Sequence, residues 1–229
     1  MKNTVDIKKN YENVQLKIKK SCQENQRSAI EITFLAISKG QSLEKIEEVY
    51  KLGHRNFAEN YQQELSEKAS LCLKKGLKIK WSFTGTLQSN KIKKIMLHAD
   101  EIQSVACYKH AEKINDCQSV MKQIPFPIYL AVNVENEETK SGMNLNGLSE
   151  TFDKIQKNLK NLSVQGVMAI PPKGALKSRS ESIMDLCKIA KTTGLGKLSL
   201  GMSDDYEEAI GLGATTVRIG RALFGERVK

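Results

Sequence analysis

Short apolar runs recur along the chain, and each is followed by a longer stretch whose apolar positions return every three or four residues. The runs are TFLAIS (33–38), HRNFAEN (54–60), IKWSFTG (79–85), EIQSVA (101–106), PIYLAVNV (127–134), LSVQGVMAI (162–170), KLSLGMS (197–203) and TTVRIGR (215–221). Runs of this length bounded by polar residues read as buried strands. The stretches between them predict helices over Ser42–Leu52, Tyr61–Lys75, Gln88–His98, Lys109–Lys122, Leu145–Lys160, Ser178–Thr192 and Asp204–Leu212, with a short one after Arg221. Strands that alternate with helices pair in parallel through right-handed crossovers. Eight such units predict an α/β protein built as a closed (β/α)8 TIM barrel, with a doubly wound open sheet as the second choice. A further helix precedes the barrel. Tyr11, Val14, Ile18 and Cys22 share one face of residues 4–24 and are expected to cover the barrel wall or its base. The expected organisation is one domain, with an N-terminal helix within 1–26 and a barrel over 30–229.

Boundary residues agree with these elements. Ser42 is placed to N-cap its helix, with Glu44 in the first turn, and Ser203 is expected to do the same ahead of Asp204 and Asp205. Gly53 and Gly213 sit where helices should stop.

In such barrels the chemistry gathers where strands end and βα loops begin. The polar residues there are Lys39, Asn60, Thr84–Gly85 with Gln88 and Asn90, Asn133, Ser203, and Arg218 with Gly220. Alternation along the last two strands puts Leu198, Leu200 and Met202 on one face and Ser199, Gly201 and Ser203 on the other. Likewise Val217 and Ile219 oppose Thr216, Arg218 and Gly220. The bulky set packs on helices. The small set faces the barrel mouth and is expected to leave room for a ligand. An inward Arg218 needs a partner, either an internal carboxylate or a ligand phosphate. Backbone N–H groups after Gly220 can cradle an anion, whereas Asp204 and Asp205 would repel one. Lys39 reads in two ways. It is a rim lysine reaching for water, or a partly buried Schiff-base amine beside a phosphate pocket, which is what a pyridoxal phosphate site requires.

Composition narrows the field. The 229 residues include 40% hydrophobic and 27% charged residues, an ordinary water-soluble profile. No stretch approaches the roughly 20 apolar residues of a membrane span, and the N-terminus lacks a signal-type apolar core, so a cytoplasmic protein is expected. The five cysteines are scattered and form no CxxC pair, which fits reduced thiols. His54, His98 and His110 lack metal-ligand spacing. The net charge of +10 raises the question of nucleic acid, but only six of the 36 basic residues are arginines and the lysines are spread throughout. A solvated lysine-rich surface is the expectation, without dedicated nucleic-acid binding.

Seven blocks occur in order: AISKG, FAENYQQE, FTGTLQSNK, NVENEETKSGM, VQGVMAI, LGMSDDYEEAI and VRIGRALFG. Together they resemble the pyridoxal phosphate homeostasis proteins, the family of bacterial YggS and human proline synthetase co-transcribed homolog. The resemblance implies a barrel similar to the N-terminal domain of alanine racemase. It implies pyridoxal 5′-phosphate as cofactor, held as an internal aldimine on Lys39. Asn60 would lie near the cofactor ring, and Ser203, Arg218, Gly220 and Arg221 near its phosphate. The family often has Gly where Ala58 stands and HFIG where Ser82, Phe83, Thr84 and Gly85 stand. The implied role is to bind and buffer the cofactor within vitamin B6 and amino-acid homeostasis, with apo-enzymes as recipients. Racemases add a tyrosine from a C-terminal β domain. This sequence stops at Lys229 after the last barrel element, so a non-catalytic, monomeric carrier is expected. The alternatives are a racemase or lyase with Tyr61 or Lys140 as second proton-transfer group, and a basic interaction protein without a small ligand. Lys140 is also a candidate staging site for transfer.

Overall fold

A computed structural model of the chain describes residues 5–121, 124–135, 137, 141–172 and 174–226. Eight strands form the barrel: β1 (Thr33–Ile37), β2 (Asn56–Glu59), β3 (Lys80–Phe83), β4 (Glu101–Val105), β5 (Phe126–Asn133), β6 (Leu162–Ala169), β7 (Lys197–Ser199) and β8 (Thr216–Ile219). Each pairs in parallel with the next, and β8 closes the ring onto β1 with Leu35 opposite Arg218. The closed ring replaces the open-sheet alternative. A two-residue strand, Met143–Asn144, adds to the end of β5.

The helices are α1 (Ile7–Glu24), α2 (Leu43–Lys51), α3 (Gln62–Lys74), α4 (Ile92–Met96), α5 (Tyr108–Met121), α6 (Leu148–Asn158), α7 (Ala175–Ser178), α8 (Glu181–Thr192), α9 (Tyr206–Gly211) and α10 (Arg221–Phe224). Most expected helices are present, and the departures have local causes. Residues 89–91 form a 3₁₀ turn before α4, since Ser89 and Asn90 favour turns over helix interiors. Arg179 is left-handed (φ 51°), so α7 stops there and the helix expected from Ser178 begins at Glu181. The end expected at Lys122 lies outside the described residues. Gly53 and Gly213, at φ 92° and 97°, do end their helices. Ser42 occupies the N-cap position of α2, with Glu44 in the first turn, but its side chain makes no capping hydrogen bond. Ser203 does not cap α9. That place belongs to Asp205, and the Met202 N–H donates to the Asp205 carboxylate.

The main core lies between barrel and helices. Phe34, Ala36, Phe57, Val167, Val217 and Ile219 contribute from the outward strand faces. Helix α1 is anchored by its expected face, with Tyr11, Val14, Ile18 and Cys22 all buried. It packs on α2, α9 and α10, and the Tyr11 ring stacks on Phe34 at 5.9 Å and meets His54 edge-on at 5.7 Å.

The lumen is unusual. Barrel interiors are commonly layered with branched apolar residues, and here a small cluster of Tyr129, Ala131 and Met168 shares the space with a polar chain. Lys80 pairs with Glu101 at 3.2 Å, and Glu101 accepts from Ser82 at 2.8 Å and Gln103 at 2.7 Å. Gln103 accepts in turn from Ser199 at 2.7 Å, and Ser199 accepts from Arg218 at 2.9 Å. Each buried member thereby gains a partner, which is the condition for a stable polar interior.

Candidate functional site

Lys39 follows β1 with the parity of Leu35 and Ile37, opposite to Phe34 and Ala36 of the outer core, and is half-buried. Its neighbours are clamped from behind. Lys68 of α3 donates to the Ser38 carbonyl at 2.8 Å, to Glu59 Oε1 at 2.9 Å and to Glu64 Oε2 at 2.6 Å. The Ser38 hydroxyl also donates to Glu59, and the Gly40 N–H donates to Glu64, both at 2.7 Å. Burial raises the Glu59 carboxyl above its ordinary range despite Lys68 and Ser38. Burial also pushes Glu64 upward, but its bonds to Lys68 and Gly40 outweigh that and hold it below. The residues on both sides of Lys39 are thus fixed by one buried ion cluster.

Gly220 adjoins the same strand end. A Cβ there would meet the Ile37 carbonyl at 3.3 Å. The Ser203 hydroxyl accepts from the Ala222 N–H at 3.2 Å, bringing the loop after β7 onto the start of α10. Lys39, Ser203, Gly220 and Arg221 therefore gather where β1, β7 and β8 end. Arg221 is exposed and ion-paired with Asp204, and with Glu226 at 3.4 Å.

Arg218 faces inward as expected, and within the chain its bonds go to main-chain carbonyls and a hydroxyl rather than to an internal carboxylate. It donates to the Ser199 carbonyl at 2.7 Å and to the Ala169 carbonyl at 2.7 Å, besides the Ser199 hydroxyl. Burial lowers its pKa to about 10, with Asp205 opposing the fall. It makes no ion pair among the described residues, so it stands as a buried cation two residues below Gly220.

Asn60, half-buried after β2, accepts from Thr84 Oγ1 at 3.1 Å. A Cβ on Gly85 would fall 1.8 Å from the Asn60 carbonyl, so the two loops touch backbone to backbone. Across the mouth lies a cavity of about 180 Å³, lined by Thr84, Gly85, Ser104, Ala131, Asn133 and Met168 among others. Gln88 and Asn90 are exposed and lie outside its lining. Tyr61 is 57% exposed at the start of α3, and Lys140 lies outside the described residues. Among the described residues no cluster of metal-ligating side chains forms, and no helix is long and apolar enough to cross a membrane.

The cluster of Glu59, Glu64 and Lys68 was not singled out from sequence. Its signal is Glu64 and Lys68 at helical spacing i,i+4, beside a carboxylate inside a buried strand. Ser104, which lines the cavity, was not singled out from sequence either.

No family model matches the chain. Several curated proteins do, over nearly their whole length. The pyridoxal phosphate homeostasis protein of Pseudomonas aeruginosa is 37% identical over 96% of both chains. Those of Escherichia coli and Haemophilus influenzae are 35% and 33% identical over 97% of both chains. Among solved structures, a protein from Bifidobacterium adolescentis matches with TM-score 0.84 and 29% identity, covering 95% of this chain and 94% of its own. PipY of Synechococcus elongatus, solved with PLP bound, matches with TM-score 0.79 and 26% identity over 91% of this chain and 100% of its own. An alanine racemase from Clostridium difficile shares the fold at TM-score 0.73, with 13% identity over 98% of this chain and 57% of its own. With such identities running nearly end to end, the chain belongs to the pyridoxal phosphate homeostasis protein family.

Proposed function

We propose that this chain binds pyridoxal 5′-phosphate reversibly, with Lys39 forming an imine to its aldehyde, and serves as a carrier or buffer of that cofactor. The observation that carries the reading is the half-buried Lys39, clamped at the inward end of β1 and adjoining Gly220 and Ser203. The names of the relatives and the PLP bound to PipY support the ligand's identity.

The residues present suit the group. When bound, the cofactor supplies an aldehyde that condenses reversibly with primary amines. Lys39 offers the amine. Backbone N–H groups after Gly220 and the Ser203 hydroxyl offer bonds to the phosphate. Arg218 adds buried positive charge below them, which favours an anion in a site of low dielectric. Arg221 would have to leave Asp204 to bond the phosphate. Asn60, held by Thr84, offers its amide to the ring. An imine on Lys39 would be exchangeable with other amines while Ser203 and the Gly220 turn held the phosphate, and that combination would suit delivery to apo-enzymes.

Titration with pyridoxal phosphate, followed by visible absorbance, tests this. Wild-type protein should develop an imine band. Lys39→Ala should lose the band and keep weaker, phosphate-anchored binding. A colourless wild-type protein at saturating cofactor overturns the reading. Turnover of L-alanine or another amino acid above the rate of free cofactor overturns the carrier half of it.

A further inference from the structure

Strand β4 pairs with β5 through Ile102 opposite Ile128 and Val105 opposite Leu130, so Gln103 and Ser104 together face the single residue Tyr129. This is a β-bulge, a device that re-aims side chains. Strict alternation would turn Ser104 outward with Ile102. Instead Ile102 and Val105 both join the outer core, Gln103 bonds across the lumen to Ser199, and Ser104 lines the mouth cavity. Ser104 is only 6% exposed, and its hydroxyl makes no hydrogen bond to any described residue. A buried unsatisfied hydroxyl costs about 1–3 kcal/mol, so it marks a place where something else supplies the bond.

We infer that the Ser104 hydroxyl binds the 3-hydroxyl of the cofactor's pyridine ring, making the cavity at the ends of β3 to β6 the subsite for the ring edge remote from the phosphate. The inference rests on the reading of Lys39 and Gly220 given above. In a closed ring of eight strands β4 stands opposite β8. A ring gripped by its phosphate at β8 turns its opposite edge toward β4. On pyridoxal phosphate that edge carries a hydroxyl and a methyl group. Of the hydroxyls that line the cavity, Thr84 is bonded to Asn60 and Thr86 and Ser141 are exposed, so the buried and unpartnered one is that of Ser104, close to the apolar side chains of Ala131 and Met168. The match is therefore one of chemistry as well as position.

The test compares two ligands on two proteins: pyridoxal phosphate and its 3-deoxy analogue, each titrated into wild type and Ser104→Ala. One lost neutral hydrogen bond should weaken pyridoxal phosphate by about three- to tenfold and leave the analogue within about twofold. The analogue's own lower affinity cancels, because the comparison is between proteins. Equal weakening of both ligands would assign Ser104 a merely structural role and overturn the inference. Unchanged affinity for both would mean that the hydroxyl meets only water, and would overturn it as well. Ser104→Cys, nearly isosteric with a weaker donor, gives the same comparison should the alanine variant not fold. Wild-type protein that binds pyridoxal phosphate without fixing it on Lys39 refutes the imine alone and leaves this comparison intact. Wild-type protein that binds neither ligand refutes both.

Discussion

The residues on either side of Lys39 are held by one cluster. The cluster of Lys68, Glu59 and Glu64 grips the Ser38 carbonyl and hydroxyl and the Gly40 N–H, and it is largely buried. Removing the single cation leaves two carboxylates facing each other without compensation. Lys68→Met should cost about 3–5 kcal/mol in urea unfolding, and Lys68→Met combined with Glu59→Gln should cost less than the single change. Additive losses would show that the cluster is not one unit. Arg218 makes a separate prediction. Arg218→Met should weaken pyridoxal phosphate by about tenfold or more, on the scale of one charge-assisted contact, while pyridoxal, which lacks the phosphate, changes little. Equal losses on both ligands would remove Arg218 from phosphate recognition. The positions of Lys39, Arg218 and Gly220 were legible because alternation holds in β1 and β8. Ser104 was not, because a bulge breaks the alternation that a sequence reader must assume. The bonding of Arg218 to main-chain carbonyls was equally hidden, since no pattern of side chains encodes it.

Strands and long helices were readable from periodicity, as the eight barrel strands and α3, α5 and α6 illustrate. Short elements were read unevenly, since α9 and α10 were expected while α7 and the start of α8 were not. Chain direction there is set by single hydrogen bonds, such as Asp205 to the Met202 N–H, which turns the chain away after β7. The contact of the β2 and β3 loops is of the same kind. Gly85 lies against the Asn60 backbone so closely that any side chain must push the loops apart. Gly85→Ala should cost about 2 kcal/mol or more and displace Asn60, weakening cofactor binding as well. A variant with wild-type stability and affinity would show that the loops yield without consequence.

The base of the barrel depends on α1. His54 sits among Tyr11, Phe34 and Phe57, with Nε2 donating to the Asn56 carbonyl at 2.8 Å. Burial there pushes its pKa down to about 4. The folded value lies below the ordinary 6.5, so the unfolded chain takes the proton first. This contribution to stability is complete above that ordinary value and is lost as pH falls toward the folded one. Wild-type protein should lose about 2 kcal/mol between pH 7 and pH 5 through this group, and His54→Phe should be spared that share in urea unfolding at the two pH values. Equal losses in both proteins would place the acid sensitivity elsewhere. The anchoring face of α1 was evident from spacing. Its seating on α2, α9 and α10 was not, because helical periodicity shows which face is buried and not what covers it.

The most direct measurement is borohydride reduction of the protein mixed with pyridoxal phosphate, followed by peptide mapping. The account predicts one stable pyridoxyl label, on the peptide that carries Lys39. A label spread over surface lysines, or none on that peptide, would contradict it.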